Sequence, residues 1–377
     1  MRDVAVIGAG PVGATLAALT AGSGLDIALF EARPGPSAEQ RILALSEGSR
    51  SILEEACAWP VPAAAITSIH ISQKGGPGRT LLEASEQSLP ALGYTVSYGA
   101  LQDALGARLR EASVPIVHGA ECREISLEGE AAVVRFASGE EVRARLLVLA
   151  DGGANASKIP GIAFSEKDYS QHAVTGLLTA DRPHGGRAYE RFTPQGPVAL
   201  LPVEDRYAFV WTASPDEARR LLALVDADFL RAFQAHFGDR AGRFTAVAQR
   251  AAFPLRLRTV NVPVALRTAI VGNAAQALHP IAGQGLNLGL RDAASLAAAI
   301  CATPRERVGD ATMLDGYRES RRRDASRGVA FTDFLVSAFA DGRRVPTWGR
   351  GLALAALDLF PPARRALASR MIHGAMR

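Results

Sequence analysis

The stretch that most constrains this chain lies at its start. Asp3-Val4-Ala5-Val6-Ile7 reads as a buried strand, and it runs straight into Gly8-Ala9-Gly10-Pro11-Val12-Gly13. A helical run, Ala14 to Ala21, follows, and then a second strand from Asp26 to Phe30 that ends at Glu31. In this order each glycine has a task. Gly8 permits a tight turn, Gly10 lets the backbone approach a pyrophosphate, and Gly13 lets the helix pack on the strand. Pro11 and Val12 belong to the same contact surface. Glu31 stands where an acidic residue hydrogen-bonds an adenosine ribose, with Ala32 and Arg33 beside it; a carboxylate there repels a 2′-phosphate. The expected ligand is therefore FAD or NAD rather than NADP, against the plainer alternative of an unliganded βαβ unit. Arg33 either lies along the adenine or is solvated.

A second phosphate-type loop sits near the other end. Ala269-Ile270-Val271 reads as a strand ending at Gly272, followed by a polar turn, Asn273 to Gln276, and by His279-Pro280. Small residues at Ala282, Gly283 and Gly285 lead into a helix from about Leu286 and Asn287. Strand, glycine-rich turn and helix N-terminus place free N–H groups at one point, which attracts an anion or an electron-rich ring. The plainer reading is a tight connection whose glycines only allow close packing.

Between these loops the chain reads as α/β, a Rossmann-type domain carrying an inserted, mostly antiparallel sheet and C-terminal helices. The expected division puts residues 1–65, 95–165 and 255–340 in a discontinuous cofactor domain, 66–94 and 166–254 in a substrate domain, and 341–377 in a helical tail. Arg41 to Ser46 is expected to open a helix running to about Ala56, and Trp59 to Ala65 to be a loop. Arg41 reaches either the cofactor or only solvent. Leu101 to Glu111 is an amphipathic helix bearing Gln102. The segments from Val114 to Val142 read as a small meander. The separate apolar strand Arg145 to Ala150 ends at Asp151-Gly152-Gly153, at a sheet edge where ligands bind, or as a simple turn.

Composition removes other classes. With 48% hydrophobic and 21% charged residues the chain suits a globular enzyme. Its net charge of +4 is too mild and dispersed for a nucleic-acid binder. Three well-separated cysteines, Cys57, Cys122 and Cys301, give no disulfide framework and suit a reducing cytoplasm. No HExxH, nucleophile elbow or paired-carboxylate signature occurs, so no metal is expected.

Taken together, GAGPVG, Asp151-Gly152 after an apolar strand, and GNAAQALHPIAGQGLNLGLRDA resemble the three FAD signatures of the para-hydroxybenzoate-hydroxylase-type flavoprotein monooxygenases. Asn273, HPIAGQGLNLGLRD and the segment Ser72 to Tyr98 are similar to the ubiquinone-biosynthesis hydroxylases within that group. The resemblance implies FAD bound by Glu31, Arg41 and Gln102, with Asp151 in the second signature and Asn273 on the ribityl chain. It places Pro280 at the flavin face and the backbone of Leu286 and Asn287 at the pyrimidine edge. Arg41, His279 and Pro280 are the flavin-face candidates for catalysis, with a purely structural place in the turn as the other reading of His279. Asn273 and Gln276 stand where the wider group carries Asp and His. The implied reaction is hydroxylation of a polyprenylated phenol, with NADPH or NADH and O2, through a flavin hydroperoxide. Three alternatives stay open: a small soluble aromatic as substrate, an isoprenoid flavin reductase, and a non-catalytic FAD-binding scaffold.

The tail from Asp341 to Arg377 holds seven Arg against two Asp, a net +5. Leu352, Leu354, Leu357, Leu359 and Phe360 precede Pro361-Pro362, and Leu367, Met371 and Ile372 follow. Two short amphipathic helices with an Arg-rich face would suit an anionic leaflet, a partner in a ubiquinone-biosynthesis complex, or simple capping of the domain. The expected location is the cytoplasm, peripheral at the inner membrane in the first of these readings.

Overall fold

Val4 to Ile7 is apolar at every position because both of its faces are covered, as a central parallel strand requires. The computed structural model, which describes residues 1–35, 39, 41–76, 78–278, 283–340 and 347–373, pairs Arg2–Ile7 in parallel with Ile27–Glu31 on one side and Glu141–Leu149 on the other. Thr268–Ile270 and Ile116–His118 extend this sheet, also in parallel. Helices Pro11–Thr20, Tyr98–Glu111 and Gln284–Cys301 cover one face through Leu16, Leu105 and Leu296. The hairpin Cys122–Glu128 and Ala131–Phe136 folds over the other, where Phe136 stacks on Phe30. The meander is thus part of the main sheet. Its last segment and the apolar strand, expected as separate runs, form one continuous strand, Glu141–Leu149.

A second, eight-stranded sheet is mostly antiparallel. Its order is Gln276–Ala277, Phe244–Val260, Phe164–Ala180, Arg206–Ala213, Gly196–Val203, Arg187–Thr193, Ser68–Gln73 and Arg79–Glu83. Helices Pro215–Ala223 and Asp226–Phe237 close one of its faces with Phe229, Phe233 and Phe237 against Phe209 and Trp211.

A three-stranded antiparallel sheet corrects two expectations. Arg41 to Ser46 does not open a helix, because Ile42–Ser46 is a strand paired with Gly93–Ser97. A Cβ at residue 93 would lie 2.3 Å from the Leu45 carbonyl oxygen, so glycine there lets the two strands meet. The helix begins only at Glu47, where the Ser46 side chain accepts from the Ser49 N–H. The presumed loop Trp59 to Ala65 ends in a strand, Ala63–Ile66, on the far side of Gly93–Ser97.

After the long helix Ala311–Ala340, the tail forms Thr347–Leu359 and Pro361–His373, broken at the predicted prolines. Its apolar side is not turned to solvent. Leu354, Ala368 and Ile372 are buried against Ile71, Leu82 and Phe192 of the second sheet. Thr80 Oγ1 donates to the Leu354 carbonyl at 2.7 Å, the Asp358 carboxylate accepts from the Leu81 N–H, and Arg364 pairs with Glu86. Among the described side chains of the tail, Leu359 and Phe360 are the large apolar ones left exposed, at 83% and 60%. Among the described residues no helix is long and apolar enough to cross a membrane.

Candidate functional site

The first glycine loop divides into residues that hold the fold and residues that face open space. Gly8 has φ +102°, and a Cβ there would lie 2.6 Å from the Ala150 carbonyl oxygen. At Gly13 it would lie 2.2 Å from the Gly8 carbonyl oxygen. These two bring strand, helix and the Ala150-Asp151 turn together. Gly10 is different: its nearest neighbour would be the Tyr98 hydroxyl at 3.8 Å. Gly10 N-caps the helix that begins at Pro11 with no side-chain cap and no acidic residue in the first turn, so the N-terminal N–H groups are free for an anion.

Glu31 is buried at the end of its strand. Its Oε2 accepts from the Ala9 N–H at 2.9 Å, and its Oε1 accepts from the Arg33 N–H and from Arg33 Nε at 2.8 Å. Burial alone would raise its pKa, but the Arg33 bonds and the Ala9 N–H outweigh burial and hold it below the ordinary carboxylate value. Arg33 is therefore neither free in solvent nor extended along the loop; it pairs with Glu31. Ala32 between them is exposed. Gln102 Nε2 donates to the Ala9 carbonyl at 2.6 Å, while its buried Oε1 has no partner among the described residues. Arg41 pairs with Glu39 and lies over the Tyr98 ring, 5.1 Å from its centroid, so it does stand beside the loop.

The Asp151 carboxylate turns back on its own loop. Oδ1 accepts from the Gly153 N–H, and Oδ2 accepts from the Asn155 N–H and Nδ2. What faces outward is the backbone at Gly152, which is exposed, with φ +73° and nothing within 4 Å of a Cβ position.

The second loop meets the first through Val12. A Cβ on Gly272 or on Gly289 would strike Val12, at 3.0 and 2.8 Å. Asn273 is exposed in the turn Gly272–Ala274. The nearest atom to a Cβ on Gly285 is Asn273 Oδ1 at 3.9 Å, so the two residues flank one open space. Gly283, at φ +60°, N-caps the helix Gln284–Cys301 without a side-chain cap, and no acidic residue occupies the first turn. Leu286 is half-buried against the first core. Asn287 is buried and spends its side chain on the fold: Oδ1 accepts from the Ser46 N–H and Ser49 Oγ, and Nδ2 donates to the Ala44 and Gly283 carbonyls. Its side chain anchors the helix start to the Ile42–Ser46 strand. His279 and Pro280, two of the expected flavin-face residues, lie outside the described residues.

Several residues that hold the site were not singled out from the sequence. Asp292, buried in the helix, accepts from the Gly272 N–H, from Gln276 Nε2 at 2.6 Å and from Arg321 Nε at 2.9 Å. Arg321 also meets Asp324, and Asp324 meets Arg291, so four buried charges tie the turn to the long helix Ala311–Ala340. Burial pushes the Asp292 pKa up, with Arg321, the Gly272 N–H and Gln276 pulling the other way. Its only sequence signal was an acidic residue in an alanine-rich helix, five positions after the Asn287 anchor.

From Gly283, Gln284 and Asn287 a cavity of about 300 Å³ runs away from the loops. Ile69, Ile71, Phe192 and Leu201 of the second sheet form one wall, and Leu354, Leu357, Leu367 and Met371 of the tail form another. Its walls are almost wholly apolar, and the carboxyl of Glu190 is the exception in charge.

The uncapped helix starts, the bare Gly10 and Gly285 positions and the unpaired Gln102 oxygen together fit a dinucleotide with a ring at the mouth of the cavity. Comparison with known proteins shows the family. Residues 1–332 match the FAD binding domain family. Ubiquinone hydroxylase UbiL of Rhodospirillum rubrum is 32% identical, the match covering 97% of this chain and 88% of that protein. The 3-demethoxyubiquinol 3-hydroxylase of Escherichia coli is also 32% identical, with 78% of each chain covered. Among solved structures, p-nitrophenol 4-monooxygenase PnpA from Pseudomonas putida superposes with a TM-score of 0.78 at 18% identity, covering 100% of this chain and 99% of that one.

Proposed function

We propose a substrate and a reaction from one premise: this chain belongs to the FAD binding domain family and, within it, to the ubiquinone hydroxylases. It is an FAD-dependent monooxygenase of ubiquinone synthesis. The finer reading is that it hydroxylates the ring of a polyprenylated phenol, with NADPH or NADH as reductant and O2 as the oxygen source. The observation that carries this reading is the cavity. It starts at the helix N-terminus of the second loop and is walled by aliphatic side chains, which suits an apolar chain and poorly suits a small polar aromatic.

In this reading the first sheet serves the cofactor and the second the substrate. The N–H groups at the start of Pro11–Thr20 hold the pyrophosphate, and Gly10 leaves room for it. Glu31 would hold the adenosine ribose, its present partner being the half-exposed Arg33 side chain. Gln102 and Arg41 lie along the dinucleotide, and the backbone at Gly152 contacts it. Asn273 bonds the ribityl chain. Gly285 and the N–H groups of Leu286 and Asn287 face the pyrimidine edge, where the helix dipole favours negative charge. When bound, the flavin supplies the redox chemistry, taking reducing equivalents from the nicotinamide and passing one atom of O2 to the ring. This chain's own residues orient the ring and keep water out through Ile71, Leu82, Leu354 and Ile372. Peripheral membrane association, where it occurs, would use the exposed pair Leu359 and Phe360.

The test is oxygen-18 incorporation. The FAD-loaded protein, given NAD(P)H and a prenylated phenol, is expected to oxidise the nicotinamide faster with the phenol than without it. One atom of labelled O2 should appear on the ring. Phenol-independent oxidation with an unlabelled ring would overturn the reading.

A further inference from the structure

We propose that Glu190 receives the hydroxyl of the substrate, making it the directional contact in an otherwise greasy cavity. The assignment rests on the prenylphenol reading above and deepens it.

Glu190 lies in the strand Arg187–Thr193, paired with Ala199 on one side and Ile71 on the other. Alternation along the strand sends its neighbour Tyr189 to the opposite face, where Tyr189 packs edge-on against Tyr207 and Phe237. Ala188, Glu190 and Phe192 line the cavity, and Tyr189 contributes to its lining as well. Glu190 is half-buried and is the charged residue of the cavity lining. Its Oε1 is buried without a hydrogen-bond partner among the described residues.

A carboxyl in such a place is costly to the fold, and with Ala199, Ile71 and Val210 around it an apolar side chain would cost less. The fold alone gives no reason for it. A ligand that is apolar along most of its length and carries one hydroxyl does. The aliphatic walls accept the chain at many positions, and a single polar contact sets which way the ring faces. Burial raises the Glu190 pKa to about 7, so near neutrality the group is available both as acceptor and as donor. As a carboxylate it accepts the phenolic O–H. That draws electron density toward the phenol oxygen and into the ring, the property that attack by an electrophilic oxygen requires.

The experiment compares two probes on the FAD-loaded enzyme: ortho-geranylphenol and its methyl ether, which has the same shape and no donor. Dissociation constants are read from the change in flavin absorbance. The wild type is expected to bind the phenol about tenfold or more tighter than the ether. Glu190→Ala should bring the two constants together by weakening the phenol, with ether binding and FAD content unchanged. Glu190→Gln, which keeps a hydrogen-bonding group, should retain part of the preference. An undiminished preference in both variants would overturn the role of Glu190 while leaving the hydroxylase reading standing. A wild type that binds neither probe would overturn both. A wild type that binds the two equally would overturn the hydroxyl contact alone.

Discussion

Gly8 and Gly285 share a residue type and differ in what a methyl group would strike. At Gly8 a Cβ meets backbone at 2.6 Å in a left-handed conformation, so substitution there damages the fold. At Gly285 the nearest atom is a side-chain oxygen 3.9 Å away, so the position is free for reasons outside the folded chain. Gly285→Asp should leave the apo fold within about 1 kcal/mol of wild type, since a carboxylate suits the first turn of a helix. The same carboxylate would occupy the open space beside Asn273 and repel an electron-rich ring. We expect FAD content to fall at least about tenfold, with circular dichroism unchanged. Normal flavin content would mean that the ring lies elsewhere. Glu31 shows how far a residue can be read from spacing. Its place at the strand end was legible, because a strand, a loop and a helix fix the chain length between the partners. Its pairing with Arg33 was not, since neighbouring opposite charges on a turn meet or part according to what surrounds them.

The two helices Thr347–Leu359 and Pro361–His373 were legible as helices, while the surface their apolar sides meet stayed open among a bilayer, a partner and the domain itself. Amphipathicity says that one side seeks an apolar surface; it does not say whether that surface is a bilayer or the same protein. Gly78 marks the tail's packing on this domain in a way no periodicity reveals. A Cβ there would lie 2.0 Å from the Gly351 carbonyl oxygen, so the turn before Arg79–Glu83 presses directly on the tail backbone. Truncation after Trp348 should therefore cost about 2–4 kcal/mol of stability by uncovering Leu82 and its neighbours. It should also lower ortho-geranylphenol affinity at least about tenfold while FAD stays bound. Phenol binding at wild-type strength in the truncated protein would show that the tail is no wall of the site. The segment Ile42–Ser46 failed for a different reason. Its apolar run suits a helix or a strand equally, and the deciding partner, Gly93–Ser97, lies some fifty residues away.

At the scale of the molecule, the parallel sheet and the inserted antiparallel one were both visible from the pattern of apolar runs. The cavity between the second sheet and the tail was not, because it is made from side chains of segments hundreds of residues apart. The cofactor stands to hold together loops from both ends of the chain, residues 8–13 and 272–287. Stripping FAD should lower the unfolding temperature, and FAD at about a hundred times its Kd should restore about 2.7 kcal/mol. An unfolding temperature indifferent to FAD would argue against a ligand spanning the two loops.

Asp292 grips the turn at Gly272 with one oxygen and Arg321 with the other. Any redesign of the long helix Ala311–Ala340 inherits that bond. Arg321 and Asp324 cannot be exchanged one at a time for neutral residues, because a buried charge stripped of its partner costs about 3–5 kcal/mol. The first place to give would be a loop on another element, the one that carries Asn273. Residue 321 touches no part of the cofactor space, yet an engineer who alters it alone would be editing the flavin site from behind.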